Sequence, residues 1–515
     1  MNSSIANNLS VYTCEQIRHI EGLAKSRLPT PSLMQRAGLA AANFASQLAP
    51  TGSPLLVFAG AGDNGGDAFE MAAHLSQRGY KVSIYTIGEE TNYSPDALLA
   101  LQNARNNAIS WIKDRKDLEQ LLDKAALIVD GLFGIGLNRP IAGLASEIVG
   151  LINQTSSRNA IPVLALDIPS GLMADTGQTC RGTIQNDKEM TAVRASHTIT
   201  FIAYKPGLFT AKGRDLAGQV LLNTLDINPS DFPEPTITLN TQENTQSLLT
   251  PRLHDSNKGS FGNVSIVGGA DGMYGAAILS ARAALFAGAG KVHIGFCGEG
   301  GKSPVLFDSI HPEIMCHHVD QIEMHSGVVA IGPGLGKSKQ VKEVLAYALT
   351  HSPRLIIDAD AINLIADDGH LQDLLALRST QNFTSILTPH PLEAARLLQT
   401  STIEVQANRL SAAAQLTKRY QAIFVLKGSG SIICGEAQSY INTSGNPALA
   451  TGGTGDVLTG VCAALLAQGL TAIDAARLAC FAHGAAADDL VAQGLGPIGL
   501  VASELPSAIR QQLNH

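Results

Sequence analysis

Short apolar runs alternate with helix-length segments along the first half of the chain. The runs are "PLLVFAG", "YKVSIYTIG", "ALIVDGLFG", "VLALDIPSG" and "HTITFIA". Near-continuous apolar strands with intervening helices are typical of a parallel sheet that is covered on both faces. The stretch "AFEMAAHLSQRG" predicts one of these helices, and the glycine-rich "AGDNGGD" before it predicts a loop.

The same alternation restarts after a polar, proline-rich stretch, where we predict a linker near residues 226–245. Further strands are predicted at "NVSIVGG", "KVHIGFC", "VVAIGPG", "RLIIDAD", "TSILTPH" and "AIFVLKGSGSIICG". Residues 276–287 and 456–468 are rich in alanine and glycine, which predicts helices that pack closely on a sheet. We therefore predict two α/β domains, at residues 1–228 and 240–515, the first with a Rossmann-like parallel sheet.

Composition narrows the class of protein. A chain of 515 residues is too long for one core, and 45% hydrophobic with 16% charged residues excludes a disordered protein. A net charge of −8 argues against nucleic-acid binding, and no apolar run of membrane length lacks a charge. The seven cysteines form no CxxC pair and no secretory signal is visible, so we expect reduced thiols and a cytoplasmic protein. The adjacent His317 and His318 predict a loop or edge strand rather than a zinc site.

Polar groups follow several strands of the first half, where ligands of parallel sheets bind. Asn64, Asp130 and Ser170 offer hard oxygen donors that suit an alkali or alkaline-earth cation. Arg139 is suited to a bidentate phosphate contact. Each of these polar residues alone is an ordinary turn or capping residue, but Asn64, Asp130 and Ser170 together favour a site.

The second half carries a different set of polar groups. "GPGLG" ends a strand, and "HPLEAAR" places His390 as a helix N-cap with Glu393 in the first turn. "KGSGS" offers a cation and hydroxyls to a phosphate, although a hairpin turn explains it equally well.

The strongest signal is "NPALATGGTGDVLTG", which places glycines at a helix start and Asp456 in its first turn. The glycines let backbone N–H groups hold a phosphate, and the helix dipole favours an anion there. The dipole lowers the pKa of Asp456 whereas a bound phosphate raises it. We therefore expect the carboxylate to act as a base toward a hydroxyl that attacks a phosphoryl group.

These motifs resemble a known enzyme family over nearly the whole chain. "AGDNGGDAFEMAAHL", "DGLFGIGLNRP", "LALDIPSGLMADTG" and "TITFIAYKPGL" resemble the NAD(P)H-hydrate epimerase domain. "GPGLG", "DADAIN", "TPHPLEAARLL", "VLKGSGSII" and "GNPALATGGTGDVLTG" resemble the ribokinase-like ADP/ATP-dependent NAD(P)H-hydrate dehydratase. Their order is that of the fused bacterial enzyme.

The resemblance implies a bifunctional repair activity on hydrated NADH and NADPH, called NADHX and NADPHX. The first domain would interconvert the R and S epimers, and the second would dehydrate the S epimer at the expense of ADP. It implies K⁺ in the epimerase, Mg²⁺ with ADP in the dehydratase, and a homo-oligomer without nucleic-acid or membrane partners.

The resemblance also implies site residues. In the epimerase, Asp167 is the proton shuttle, Asn64, Asp130 and Ser170 bind K⁺, and the substrate contacts are Asp63, Asn64, Gly65, Gly66, Asp67, Gly134, Ile135, Gly136, Leu137, Asn138, Arg139, Pro140 and Asp167. In the dehydratase, Asp456 activates the hydroxyl, and the other substrate contacts are Ala276, Gly334, His390, Pro391, Leu392, Glu393, Ala394, Ala395 and Arg396. The ADP contacts are Lys427, Gly428, Ser429, Gly430, Ser431, Asn446, Thr451, Gly452, Gly453, Thr454 and Gly455.

Two other interpretations are open from the sequence. A ribokinase-like vitamin or sugar kinase uses the same glycine-rich loop and aspartate, and would release a phosphorylated product. The first domain alone would also suit a binding or scaffold module, although such a module has no need of the cation donors Asn64, Asp130 and Ser170.

Overall fold

The computed structural model describes residues 9–28, 30–179, 192–298, 303 and 305–514. It divides the chain into two compact units, Met1–Thr236 and Ile237–His515. No helix in the described part of the chain is long and apolar enough to cross a membrane.

The first unit is built on a parallel sheet. The strands of the unit are Ser10–Val11 (β1), Pro54–Ala59 (β2), Lys81–Thr86 (β3), Ser110–Ile112 (β4), Leu127–Gly131 (β5), Val163–Leu166 (β6), His197–Phe201 (β7) and Gln219–Asn223 (β8). Of these, β2 to β8 form the sheet. The order across the sheet is β4-β3-β2-β5-β6-β7-β8, and all neighbours are parallel. Successive strand residues are buried on opposite faces, with Val57 in one core cluster and Phe58 in the other.

The helices of the first unit are Cys14–Arg27 (α1), Leu33–Leu48 (α2), Asp63–Gln77 (α3), Pro95–Arg105 (α4), Arg115–Leu122 (α5), Leu144–Asn159 (α6) and Gly213–Leu216 (α7). The helix α3 begins at Asp63, so most of the glycine-rich stretch predicted as a loop is its first turn. A Cβ on Gly65 would lie 1.9 Å from the carbonyl oxygen of Gly60. Only glycine permits this approach of the helix start to the end of β2.

The second unit has a larger, mixed sheet. Its strands are Ile237–Asn240 (β9), Asn263–Gly268 (β10), Lys291–Phe296 (β11), Met315–His318 (β12), Val328–Ile331 (β13), Arg354–Ile357 (β14), Thr384–Leu387 (β15), Ile423–Leu426 (β16), Ile432–Cys434 (β17) and Ser439–Asn442 (β18). Their order is β9-β18-β17-β16-β15-β14-β13-β10-β11-β12. The neighbours are parallel except at β16/β17 and β17/β18. The predicted α/β class is confirmed in both units.

The helices of the second unit are Gln242–Thr245 (α8), Tyr274–Phe286 (α9), Lys339–His351 (α10), Ala359–Ala366 (α11), Gly369–Leu377 (α12), Pro391–Leu398 (α13), Thr402–Ala407 (α14), Arg409–Tyr420 (α15), Thr454–Ala467 (α16), Ala472–Ala492 (α17) and Leu505–Gln512 (α18). Helices α9 and α16 pack against each other so closely that a Cβ on Gly460 would lie 2.0 Å from the carbonyl oxygen of Ser280. The small residues of these helices therefore serve helix–helix contact as well as contact with the sheet.

Short 3₁₀ turns complete the elements, at Glu90–Asn92, Pro206–Leu208, Pro229–Asp231, Gln246–Leu248, Lys258–Phe261, Val319–Gln321, Arg378–Gln381, Pro447–Leu449 and Ala502–Glu504.

Two local predictions differ from the structure and one agrees with it. The linker predicted at 226–245 is wrong from Ile237 onward, because β9 pairs in parallel with β18 and buries Ile237 and Leu239. The strand predicted over "AIFVLKGSGSIICG" is a hairpin of β16 and β17, with "KGSGS" as its turn. His317 and His318 lie in β12, at the edge of the sheet as predicted.

Candidate functional site

The first candidate site lies where the strand order of the first unit reverses, between β2 and β5. A cavity of about 590 Å³ opens there, at the edge where parallel sheets bind ligands. The predicted residues that line it are Asp63, Asn64, Asp67, Gly134, Ile135, Gly136, Leu137, Asn138, Arg139 and Asp167. Gly65 and Gly66 are buried instead, and a Cβ on Gly66 would lie 2.5 Å from the sulfur of Met34.

The three residues predicted as cation ligands lie close together at this edge. Asp130 is fully buried and accepts hydrogen bonds from the Ser170 hydroxyl at 2.6 Å and the Ser170 amide at 2.8 Å. Burial raises the pKa of the Asp130 carboxyl to about 6, and the Ser170 hydrogen bonds oppose that rise. A cation beside the carboxylate would favour its charged form.

Among the three proposed cation ligands, Asn64 has a buried side chain whose polar atoms are unsatisfied. Its side chain is buried, and neither its amide oxygen nor its amide nitrogen has a hydrogen-bond partner in the described structure. A buried amide without a partner is costly, and the oxygen is a suitable ligand for K⁺. A Cβ on Gly134 would lie 3.3 Å from the Cβ of Asn64, so glycine leaves room above this side chain. The donor set therefore fits K⁺.

Asp167 lies at the end of β6 in a strained conformation. Its φ is +63°, a left-handed value that residues other than glycine seldom adopt. Its Oδ1 accepts hydrogen bonds from the Lys205 ammonium and from the Phe201 amide, the latter at 3.1 Å. Lys205 is buried and also donates to the Phe201 carbonyl oxygen at 2.8 Å. Strain of this kind concentrates at functional sites, where the surrounding structure enforces it.

Asp67 faces the same cavity as Asp167 but lies in different surroundings. Burial and the nearby charges of Asp167 and Asp63 raise the pKa of Asp67 well above its ordinary value. Asp167 instead has the Lys205 ammonium as a direct partner. Two carboxyl groups with such different surroundings are suited to act as acid and base.

The second candidate site lies where the strand order of the second unit reverses, between β10 and β13. The Gly269 and Ala270 amides donate to the Pro333 and Gly334 carbonyl oxygens, at 2.9 and 2.7 Å. Gly334 has a φ of +57°, which favours glycine in this turn. Ala276 follows in the first turn of α9, and a Cβ on Gly334 would lie 3.2 Å from the Ala276 Cβ.

Charged residues that follow β14 and β16 meet next to this turn, together with Glu393 in the first turn of α13. The Lys427 ammonium donates to Asp358 Oδ1 at 2.8 Å, and the Thr459 hydroxyl donates to Asp358 Oδ2, also at 2.8 Å. Burial lowers the pKa of Lys427, but the charges of Asp358 and Glu393 outweigh it, so that the pKa is raised. Burial raises the pKa of Glu393 to about 7, and Lys427 opposes this rise.

Asp456 lies in the first turn of α16, beside this cluster. Burial and the charge of Asp358 raise the pKa of the Asp456 carboxyl to about 7, although Lys427 lowers it. Gly453, just before the helix, has a φ of +89°, and a Cβ on Gly455 would lie 3.2 Å from the Lys427 ammonium. Gly452 has open space around it, so its backbone is accessible to a ligand.

The segment "HPLEAAR" forms the start of α13. The His390 Nδ1 accepts from the Leu392 amide at 3.1 Å, and Glu393 accepts from the His390 amide at 2.8 Å. This capping box was predicted, and it fixes Glu393 among the charged residues. Pro391, Leu392, Ala394 and Ala395 are the other residues of this start, and Arg396 donates to the Asn363 side chain.

The predicted nucleotide segments are held by groups that the sequence did not single out. The buried Arg409 donates to the carbonyl oxygens of Leu426, Lys427 and Gly430, which fixes the turn of Gly428, Ser429, Gly430 and Ser431. Asp488 accepts from the Asn446 amide group at 2.8 Å. The Thr454 hydroxyl donates to the Thr451 carbonyl oxygen at 3.1 Å.

His483 is a further group that was missed. Its Nε2 lies 3.0 Å from the Thr454 carbonyl oxygen, and burial lowers its pKa to about 4. It therefore stays neutral at physiological pH and steadies the first turn of α16. Asp358 and Lys205 each follow an apolar strand, and that position was the sequence signal for a site residue. His483 and Asp488 lie inside the long helix α17, where the sequence gives no such signal.

Comparisons with known proteins match a different family model to each half of the chain. A family model described as NAD(P)H-hydrate dehydratase matches residues 264–510, and one described as YjeF-related protein N-terminus matches residues 30–207. The bifunctional NAD(P)H-hydrate repair enzyme of Coxiella burnetii is 36% identical, covering 98% of this chain and 99% of the relative. The enzyme of the same name from Escherichia coli is 36% identical, over 94% of this chain and 89% of the relative.

A solved structure is similar to part of the chain. It is the ADP/ATP-dependent NAD(P)H-hydrate dehydratase from Bacillus subtilis, co-crystallized with ATP and Mg²⁺, which is 29% identical with a TM-score of 0.45. The match covers 54% of this chain and 97% of that one. On the full-length relatives and the two family models, the chain belongs to the family of bifunctional NAD(P)H-hydrate repair enzymes.

Proposed function

We propose that the chain repairs NADH and NADPH that have been hydrated on the nicotinamide ring, with one reaction in each unit. The observation that carries the proposal is Asp456, an aspartate with its pKa raised to about 7 in the first turn of α16, next to an open glycine turn and the Lys427 ammonium. A phosphate binder alone has no use for a base at that point, whereas a site that phosphorylates a hydroxyl requires one.

In the second unit, the ring hydroxyl of the S epimer is the nucleophile. Asp456 accepts the hydroxyl proton while the oxygen attacks the terminal phosphorus of ADP, and AMP leaves. The phosphate ester then eliminates. The C–O bond breaks as the neighbouring carbon gives its proton to the leaving phosphate, which restores the ring double bond and releases hydrogen phosphate. The N–H groups around Gly452, Gly453 and Gly455 and the Lys427 ammonium stabilise the charge on the phosphoryl oxygens.

In the first unit, the R and S epimers interconvert at the hydrated carbon. Asp167 accepts the hydroxyl proton. Asp67, whose raised pKa favours its neutral form, donates a proton to the ring nitrogen as the bond between that nitrogen and the carbon opens. The resulting carbonyl carbon is planar, so the ring can close from either face and return both protons. The K⁺ proposed at Asn64, Asp130 and Ser170 would stabilise this edge of the cavity, since Asn64 both lines the cavity and belongs to the proposed K⁺ ligands.

We assign the substrate contacts to the residues predicted from the sequence, with NADHX, NADPHX and ADP as the ligands. Mg²⁺ would enter the second unit with the nucleotide, because the described residues contain no cluster of three His, Cys, Asp or Glu that could hold a metal alone. When bound, Mg²⁺ neutralises phosphate charge. A cytoplasmic location and a homo-oligomeric state belong to the same proposal, on the family resemblance.

The test is an assay of the full chain with separated epimers of NADHX, with ADP and ATP compared. We expect the absorbance of NADH to return with the S epimer and ADP, and AMP to form in equal amount. A ribokinase-like kinase would instead leave NADHX unchanged and consume ATP with a vitamin or sugar, which would overturn the proposal.

A further inference from the structure

Asp358, at the end of β14, is the most deeply buried carboxylate of the second unit's site. Its side chain is 1% exposed, and its two oxygens take one hydrogen bond each, from Lys427 and from Thr459. Its own amide donates to the Ile331 carbonyl oxygen at 3.1 Å, which fixes it at the end of β14. A carboxylate that is enclosed in this way has little room for a nucleotide.

The partner of Asp358 is an ammonium that meets the charges of three carboxyl groups. Lys427 is hydrogen-bonded to Asp358 and also meets the charges of Glu393 and Asp456. The Lys427 ammonium lies 3.2 Å from where a Cβ of Gly455 would stand, one residue before Asp456. An ammonium released from Asp358 would pair with Asp456 and make that carboxylate a weak base.

We propose that Asp358 is a positioning residue for the phosphoryl transfer, because it holds the Lys427 ammonium beneath the glycine turn and so keeps Asp456 free to accept a proton. This inference rests on the function proposed above. Asp358 acts through Lys427.

Several charged groups face Asp456 or its lysine and must be counted in any test. They are Asp358 and Asp360 at the start of α11, Lys427 after β16, and Glu393, His390 and Arg396 on α13. His483 on α17 faces Lys427 but stays neutral. Asp360 accepts from the Gly336 amide at 3.0 Å and has no hydrogen bond to Lys427. It therefore offers a change of charge that leaves the lysine in place.

The experiment compares Asp358→Asn with Thr459→Val and Asp360→Asn in the full chain. For Asp358→Asn we expect kcat for NADH recovery to fall about a hundredfold, as for loss of a base. We also expect the acid limb of the pH profile of kcat to move about one pH unit lower. Thr459→Val keeps the charge and the lysine contact, so its acid limb should stay at the wild-type pH. Asp360→Asn should lower the acid limb slightly without the large loss of kcat.

A second readout does not depend on the repair reaction. Infrared difference spectra follow the titration of the Asp456 carboxyl, identified by the band that Asp456→Asn lacks. We expect the titration midpoint of the Asp456 carboxyl to fall in Asp358→Asn. It should rise in Lys427→Met, because that variant loses the cation that stabilises the carboxylate. Lys427→Met serves as the test if Asp358→Asn does not fold. Unchanged midpoints in the folded variants would overturn the positioning role. Absence of NADH recovery by the wild type, with shifted midpoints, would instead contradict the proposed function alone.

Discussion

At the scale of the residue, the two sites depend on carboxyl groups whose surroundings set their charge. Asp456 has a pKa raised to about 7 by burial and by Asp358, so that it exchanges protons near neutral pH. Asp167 is held in a left-handed backbone conformation against a buried lysine. Neither property can be read from the sequence, because each depends on which charged groups meet across the fold.

The change Asp456→Asn keeps the shape of the side chain and removes the base. We expect NADH recovery to fall on the order of a hundredfold or more, with ADP binding retained because the glycine turn is unchanged. Steady-state rates with the S epimer and calorimetric titration with ADP measure the two effects. Turnover near the wild-type rate would mean that Asp456 serves only as a helix cap.

The pH dependence of the wild-type rate follows from the same carboxyl. Since the ionised form is the base and its pKa is about 7, kcat should fall about tenfold per pH unit below pH 7 and level off above it. The profile is measured with saturating S epimer and ADP. A rate that stays constant down to pH 5 would contradict the assignment.

The change Asp167→Ala tests whether epimer exchange and dehydration are carried out by different units. We expect enzyme-dependent exchange of R and S epimers to be lost, because the proton acceptor is gone, while dehydration of the S epimer continues at the wild-type rate. Chromatography of the epimers after incubation without ADP measures the exchange. Exchange at the wild-type rate would remove Asp167 from the mechanism.

At the scale of the element, strand patterns were the reliable part of the sequence. The apolar runs at β2, β5 and β10 correspond to strands, and the polar residues after them lie at the sheet edges where the sites form. The start of α3 was misplaced because its glycines resemble a turn, although they serve close packing. The strand β9 was missed because it is short and follows a proline-rich stretch.

The packing of α9 against α16 gives a stability prediction. Gly460→Ala should destabilise the second unit by about 3 kcal/mol, since its Cβ would meet the Ser280 backbone at 2.0 Å. Gly275→Ala, on α9 itself, is the matched control because its Cβ would meet nothing within 4 Å. Thermal unfolding followed by circular dichroism compares the two. Equal midpoints would show that the helices can separate at little cost.

At the scale of the whole molecule, each unit has its own sheet with a reversal of strand order, and each reversal carries one candidate site. The predicted α/β class and the family follow from the sequence, because long motifs and apolar periodicity are local. The supporting groups Arg409 and Asp488 could not be predicted, because they contact loops distant in sequence.

The most direct measurement of the central claim starts from pure R epimer of NADHX with ADP and the full chain, and compares initial rates of NADH formation. We predict rapid formation by the wild type and only the rate of spontaneous epimerisation by Asp167→Ala. For Asp456→Asn we predict a mixture of epimers, with NADH formation slowed on the order of a hundredfold or more. Equal NADH formation by all of these proteins would contradict the account.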